Sequence, residues 1–160
     1  MYNVGDRITH PLHGAGTIEQ IETVTVDGAK KLYYSLRIPV GGIKVMVPVA
    51  TSDEIGVRPL ISAERAREIV SEFPSLSCDM TDNWSRRYRE NLETIRSGDT
   101  MRVASVVKGL TLRGRERRLS TSERKMLRLA CQILISELEL ALGKSYEEIE
   151  HALAMSIIDY

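Results

Sequence analysis

Ile21-Glu22-Thr23-Val24-Thr25-Val26-Asp27-Gly28-Ala29-Lys30-Lys31-Leu32-Tyr33-Tyr34-Ser35-Leu36-Arg37-Ile38 decides the architecture of the first third of this 160-residue chain. Asp27-Gly28 is a turn dipeptide, and β-branched and aromatic residues flank it on both sides. That combination predicts a two-residue β-hairpin. Gly41-Gly42 then separates Ile38 from Ile43-Lys44-Val45-Met46-Val47-Pro48-Val49, which predicts a second hairpin. Val45, Val47 and Val49 alternate with Lys44, Met46 and Pro48, as in a strand with one buried face. Pro48 cannot donate a ladder hydrogen bond, so the strand belongs at an edge. His13-Gly14-Ala15-Gly16 supplies glycines for a bend or bulge in an earlier strand. About five short strands in roughly 55 residues fit a small, strongly bent barrel of the SH3 or Tudor type.

Past Pro59 the periodicity becomes helical. Ile61 to Phe73 is a short amphipathic segment stopped by Pro74, and residues 74–82 read as a linker-like stretch. A helix is predicted from Asn83 to Arg96, ending at Gly98. Asp99 is an N-cap for the next, which carries Val103, Val106, Val107 and Leu110 on one face. Gly109 and Gly114 weaken the second half of that helix. Ser120…Glu123 and Ser145…Glu148 have capping-box spacing, and Gly143 is a stop between them. The longest helix therefore runs from Ser120 to about Leu142, with Leu127, Ala130, Ile133, Leu134, Leu138 and Ala141 as its apolar stripe. The expected class is α+β: a β module over 1–60 followed by an all-α module over 61–160.

Net charge is zero, but the charges are segregated. Residues 84–128 carry thirteen basic and five acidic side chains, whereas residues 129–160 carry one and six. Such segregation suggests a local polyanion footprint. Cys78 and Cys131 are too few for a disulfide framework and form no metal-type pair, so reduced thiols in a cytoplasmic protein are expected. The N-terminus lacks a basic region followed by an apolar run, so no signal peptide is expected. No apolar run approaches about 18 residues, so no membrane span is expected. His10 and His13 have no cysteine or carboxylate nearby to complete a metal site. Phosphate-binding loops, dinucleotide fingerprints and nucleophile elbows are missing from the sequence. Neither a cofactor nor an enzymatic activity is expected.

The single tryptophan stands in Asn83-Trp84-Ser85-Arg86-Arg87-Tyr88-Arg89. In a helix Trp84 shares a stripe with Tyr88, Leu92 and Ile95, so an ordinary core position is one reading. The other is an apolar wedge for a minor groove, flanked by guanidinium groups that hold phosphates. This segment resembles the tryptophan signature of the CarD/CdnL family of bacterial transcription regulators. The similarity extends to Val4-Gly5-Asp6, His10-Pro11-Leu12-His13-Gly14-Ala15-Gly16, Val47-Pro48, Gly56-Val57-Arg58, Ser97-Gly98-Asp99, Leu119-Ser120 and Gln132-Ile133-Leu134, covering essentially the whole chain.

The resemblance implies an N-terminal Tudor-like module that docks on the β subunit of RNA polymerase. It also implies a helical module that touches promoter DNA at the upstream edge of the transcription bubble. The resemblance further implies that the tryptophan wedges into the minor groove there and stabilises open complexes of the sigma-containing holoenzyme. Association with the nucleoid through the polymerase is implied as well. Some members carry basic residues at the positions of Val24 and Met46, which are apolar here. The candidate DNA contacts are Trp84, Arg86, Arg87, Arg89 and Lys125, joined by some of the arginines between 113 and 118. Lys44, Val45, Met46, Val47 and Pro48 form the candidate polymerase-docking edge. The alternative is a protein-interaction adaptor that makes no direct DNA contact.

Overall fold

The computed structural model describes residues 1–159. Its first part is a curled, five-stranded antiparallel sheet: β1 Arg7–His10, β2 Gly14–Val26, β3 Ala29–Ile38, β4 Ile43–Pro48 and β5 Arg58–Pro59, ordered β4-β3-β2-β1-β5. A single helical turn, α1 Ser52–Ile55, precedes β5. Asp27 and Gly28 both adopt positive φ, 50° and 79°. That turn matches the right-handed twist of the strands it joins and sets the long β2–β3 ladder, from Thr17↔Arg37 to Val26↔Ala29. The bend expected around His13–Gly16 is the β1–β2 turn, where Gly14 opens β2 with φ 100°; the register shift of β2 falls later, between Ile18 and Gln20. Ile8, Ile18, Tyr34, Leu36, Ile38, Val47 and Val57 form the core of this module.

The second part is helical: α2 Ala63–Glu72, α3 Trp84–Arg96, α4 Thr100–Glu116, α5 Thr121–Leu142 and α6 Tyr146–Ser156. Asn83, Asp99, Ser120 and Ser145 each accept a backbone N–H from the first turn of α3, α4, α5 and α6 in that order. Gly143, in the left-handed conformation, ends α5. Val103, Val106, Val107 and Leu110 of α4 pack against Ala130, Ile133, Leu134 and Leu138 of α5, over a floor that includes Ile69 and Phe73.

The stretch read as linker-like is a strap fastened across α4. The buried Lys108 ammonium donates to the carbonyls of Pro74 and Leu76, at 2.7 and 2.8 Å. Met80 and Cys78 lie against Gly109, where a Cβ would collide with the Met80 methyl. The glycine that looked like a helix weakness is thus the groove in which the strap is seated.

α5 packs on two neighbours. One face carries the apolar stripe into the helical bundle. A second, polar face at Gln132, Ser136 and Glu137 meets β1 and β2. Ser136 Oγ accepts the Ala15 N–H (2.9 Å), and Gln132 Nε2 donates to the His13 carbonyl (3.1 Å). Glu137 is fully buried and bonds to Thr9, Arg58 and Thr100. The seam between the modules is therefore directional hydrogen bonding, not only apolar contact.

Candidate nucleic-acid interface

Asn83 caps α3 by accepting the Arg86 N–H at 2.9 Å, which places Trp84 at the first helical position. From there the indole projects past the bundle and is 44 % exposed. It is not loose. Its ring stacks on Tyr88, with centroids 5.4 Å apart and planes 19° apart. Its Nε1 donates to Ser120 Oγ at 3.2 Å. A helical spacing of four explains the stack. The bond to Ser120 joins the start of α3 to the cap of α5.

Beside the indole lies a cleft of about 440 Å³ lined by Arg113, Arg117, Arg118, Ser120, Thr121 and Arg124, among others. Arg117, Arg118, Arg124, Arg89 and Lys125 are exposed and form no ion pair among the described residues. Lys125 sits on the lip of a neighbouring groove with Tyr88, Leu92 and Leu129. Uncompensated cations around an exposed aromatic can hold phosphates and present an apolar edge to bases. The free N–H groups at the start of α5 add to the same positive field.

Arg87 is a correction. The sequence reading placed it on the DNA-facing surface. Its side chain is only 4 % exposed and grips Glu123 with two bonds, Nε–Oε2 at 2.8 Å and Nη2–Oε1 at 3.0 Å. Its Nη1 also donates to the carbonyls of Thr81 and Asp82. All three guanidinium nitrogens are therefore engaged inward, because α3 packs against the first turn of α5. The bond to Arg87 holds the Glu123 carboxyl below the usual carboxylate range, against the opposing effect of burial. It also diverts that carboxylate from the capping box read at Ser120…Glu123; the Ser120 half of the box is present. Arg86 is exposed but paired with Glu90 at 2.7 Å. Arg113 faces Asp82 at 3.6 Å, and Arg115 donates to the Ile157 carbonyl. The expected cationic face is thus narrower at α3 and richer at the α4–α5 junction. Sequence reasoning took Ser120 only as a helix cap, and no local signal ties position 120 to position 84.

The second candidate surface is β4, which pairs with β3 on one side and is open on the other. Val49 N donates to Leu32 O, which sets the phase of the ladder. Ile43, Val45 and Val47 turn their backbone groups to β3, so Lys44, Met46 and Pro48 turn theirs to the open edge. Val47 is 1 % exposed, inside the core, and Val45 packs against it. Their side chains are turned inward, on the buried face expected from the alternation of Val45, Val47 and Val49, so of the five candidate residues these two can offer a partner only backbone at the edge. Met46 is 37 % exposed on the outer face, and Lys44 lies 3.8 Å from Glu22.

His10 and His13 lie ring against ring, centroids 4.5 Å apart, and His10 Nδ1 accepts the Leu12 N–H. Burial, reinforced by His13, lowers the His10 pKa to about 4. Among the described residues no group of three His, Cys, Asp or Glu side chains is arranged to hold a metal. No helix among them is long and apolar enough to cross a membrane.

An open-edged β module joined to a helical module with an exposed indole and a cationic cleft defines a two-part interaction protein. Residues 2–61 match the CarD-like/TRCF RID domain, and residues 68–154 match the CarD C-terminal domain. The chain belongs to the CarD-like family of transcription regulators. It is 34 % identical over 150 residues to the putative transcription factor YdeB of Bacillus subtilis, covering 94 % of this chain and 98 % of that protein. It also aligns with the solution NMR structure of the 72-residue N-terminal domain of Myxococcus xanthus CarD, at 34 % identity and a TM-score of 0.33, over 37 % of this chain and 79 % of that one.

Proposed function

We propose that this chain is a non-enzymatic regulator that docks on the β subunit of RNA polymerase through the β4 edge and stabilises open promoter complexes with Trp84. The observation that carries this reading is the exposed, doubly braced indole beside Arg117, Arg118 and Arg124. An ordinary core tryptophan has no reason to stand 44 % exposed next to uncompensated guanidinium groups. At the upstream bubble edge the ring would enter the minor groove, where partial unstacking has already lowered the cost of a wedge. The arginines, with Arg89 and Lys125, would grip phosphates without reading sequence.

Promoter opening shifts only if the protein binds the melted form more tightly than the closed one. A difference of about 1.4 kcal/mol gives about tenfold more open complex. Weak DNA contacts suffice, because tethering to the sigma-containing holoenzyme raises their effective concentration. Zero net charge is compatible with such a tethered role. At β4, the backbone groups of Lys44 and Met46 offer strand-edge pairing, and Met46 adds an apolar side chain for selection.

In vitro transcription with Trp84→Ala, run beside a polymerase pull-down, tests the division of labour. Lost stimulation with retained pull-down supports the reading; unchanged stimulation refutes the wedge. The pairing of Arg86 with Glu90 and of Arg87 with Glu123 favours a second reading, an adaptor without DNA contact. Fork-junction DNA that fails to quench the tryptophan would select it.

A further inference from the structure

We infer that Glu137 is a positioning residue that locks the docking module and the Trp84 module into one rigid body, and that open-complex stabilisation depends on this lock. The inference rests on the docking-and-wedge reading above. Glu137 is 0 % exposed. Its two oxygens accept from Thr9 Oγ1 (2.9 Å), Arg58 Nη1 and Nη2 (2.7 and 2.8 Å), Thr100 Oγ1 (2.8 Å) and the Ile61 N–H (3.2 Å). The donors come from every part that must hold still: β1 and β5 of the docking module, the connection into α2, and the first turn of α4.

A buried ion pair contributes little net stability compared with a well-packed apolar seam. It does impose direction. An apolar seam tolerates sliding, whereas five bonds on one carboxylate are all satisfied in a single arrangement. Arg7, whose Nη1 donates to the Leu140 carbonyl, extends the same seam along α5. The opposite end of that helix holds the indole through Ser120. Ser120 and Glu137 are separated by about 25 Å of helix at 1.5 Å per residue. α5 thus acts as a ruler with the wedge at one end and the docking module locked near the other. Each module has its own core, so a loosened seam leaves both folded. It lowers the effective concentration of Trp84 at the bubble edge, because the tether no longer points it there.

The test uses full-length Glu137→Ala and the isosteric Glu137→Gln, which removes the charge and faces Arg58 with an amide. Three quantities are read: polymerase pull-down, quenching of Trp84 by fork-junction DNA, and open-complex half-life. Fluorophores at positions 54 and 116 report the distance between modules. Wild type should give one narrow distance. Both variants should broaden it and shorten the half-life about tenfold, with pull-down and quenching kept. Should Glu137→Ala not fold, Glu137→Gln decides alone. A distance that stays narrow, or a half-life unchanged despite broadening, overturns the inference. Trp84→Ala is the control: if it leaves the half-life unchanged, the wedge reading falls and takes this inference with it. If it shortens the half-life and the Glu137 variants do not, this inference alone falls.

Discussion

Trp84 Nε1 donates to Ser120 Oγ, the same hydroxyl that caps α5 by accepting the Glu123 N–H at 3.1 Å. One small side chain therefore fixes the rotamer of the exposed indole and the start of the longest helix. Ser120→Ala should cost about 1 kcal/mol through the lost cap. It should also lower the fluorescence anisotropy of Trp84, because one of its two braces is gone. Ser120→Thr keeps a hydroxyl and should restore both, as urea titration and anisotropy would show.

Arg87→Ala leaves the buried Glu123 carboxylate unpaired. The expected loss is about 3–5 kcal/mol, far more than for Arg89→Ala on the exposed face. Arg87→Met with Glu123→Leu should recover most of it, since neither charge then remains to be desolvated. The pair also predicts a pH dependence. Glu123 titrates below its unfolded value, so its contribution is complete above that value, 4.5, and is lost as pH falls through the folded pKa. Acid unfolding of Arg87→Met/Glu123→Leu should lack this component.

Arg117 and Arg118 line the cleft beside the indole and form no ion pair among the described residues. If each holds one phosphate, replacing either by glutamine should reduce the salt slope of fork-junction binding by about 0.9. Arg87→Lys should leave the slope unchanged, because residue 87 faces Glu123 and not solvent. Equal slopes in all three proteins would place the phosphates elsewhere.

Gly109→Ala puts a methyl group where the Met80 side chain lies. We expect about 1–3 kcal/mol of destabilisation from overpacking. Met80→Ala in the same chain should relieve part of it, so that the two changes are non-additive in a double-mutant cycle. Additivity would mean that the strap lifts off α4 without cost.

Met46→Glu places a charge on the outer face of β4 without touching the core, since Val45 and Val47 carry the buried side of that strand. Polymerase pull-down should be lost and the melting temperature kept within a few degrees. The same substitution at Val47 should unfold the β module, which separates a docking effect from a folding one.

Much was legible in the residue order alone. Asp27-Gly28 between β-branched runs fixed the hairpin and its register. The five-strand module, its open β4 edge and the caps of α4 to α6 were local signals of turn chemistry, alternation and capping. Trp84 was locatable as an α3 N-terminal residue among arginines. What the chain order left open was decided by contacts between residues far apart in sequence. The charge run did not distinguish Arg87, whose partner lies thirty-six residues away on α5, from Arg89, which forms no ion pair among the described residues. Residues 74–82 have the composition of a linker, and only the Lys108 bonds and the Gly109 groove make them a packed strap. Ser136 and Glu137 break the apolar period of α5, so a stripe read by helical spacing passes over them; they are buried because a second module packs there. Local propensity governs which elements form. Which polar side chains are buried depends on what packs against them, and that is a property of the assembled chain.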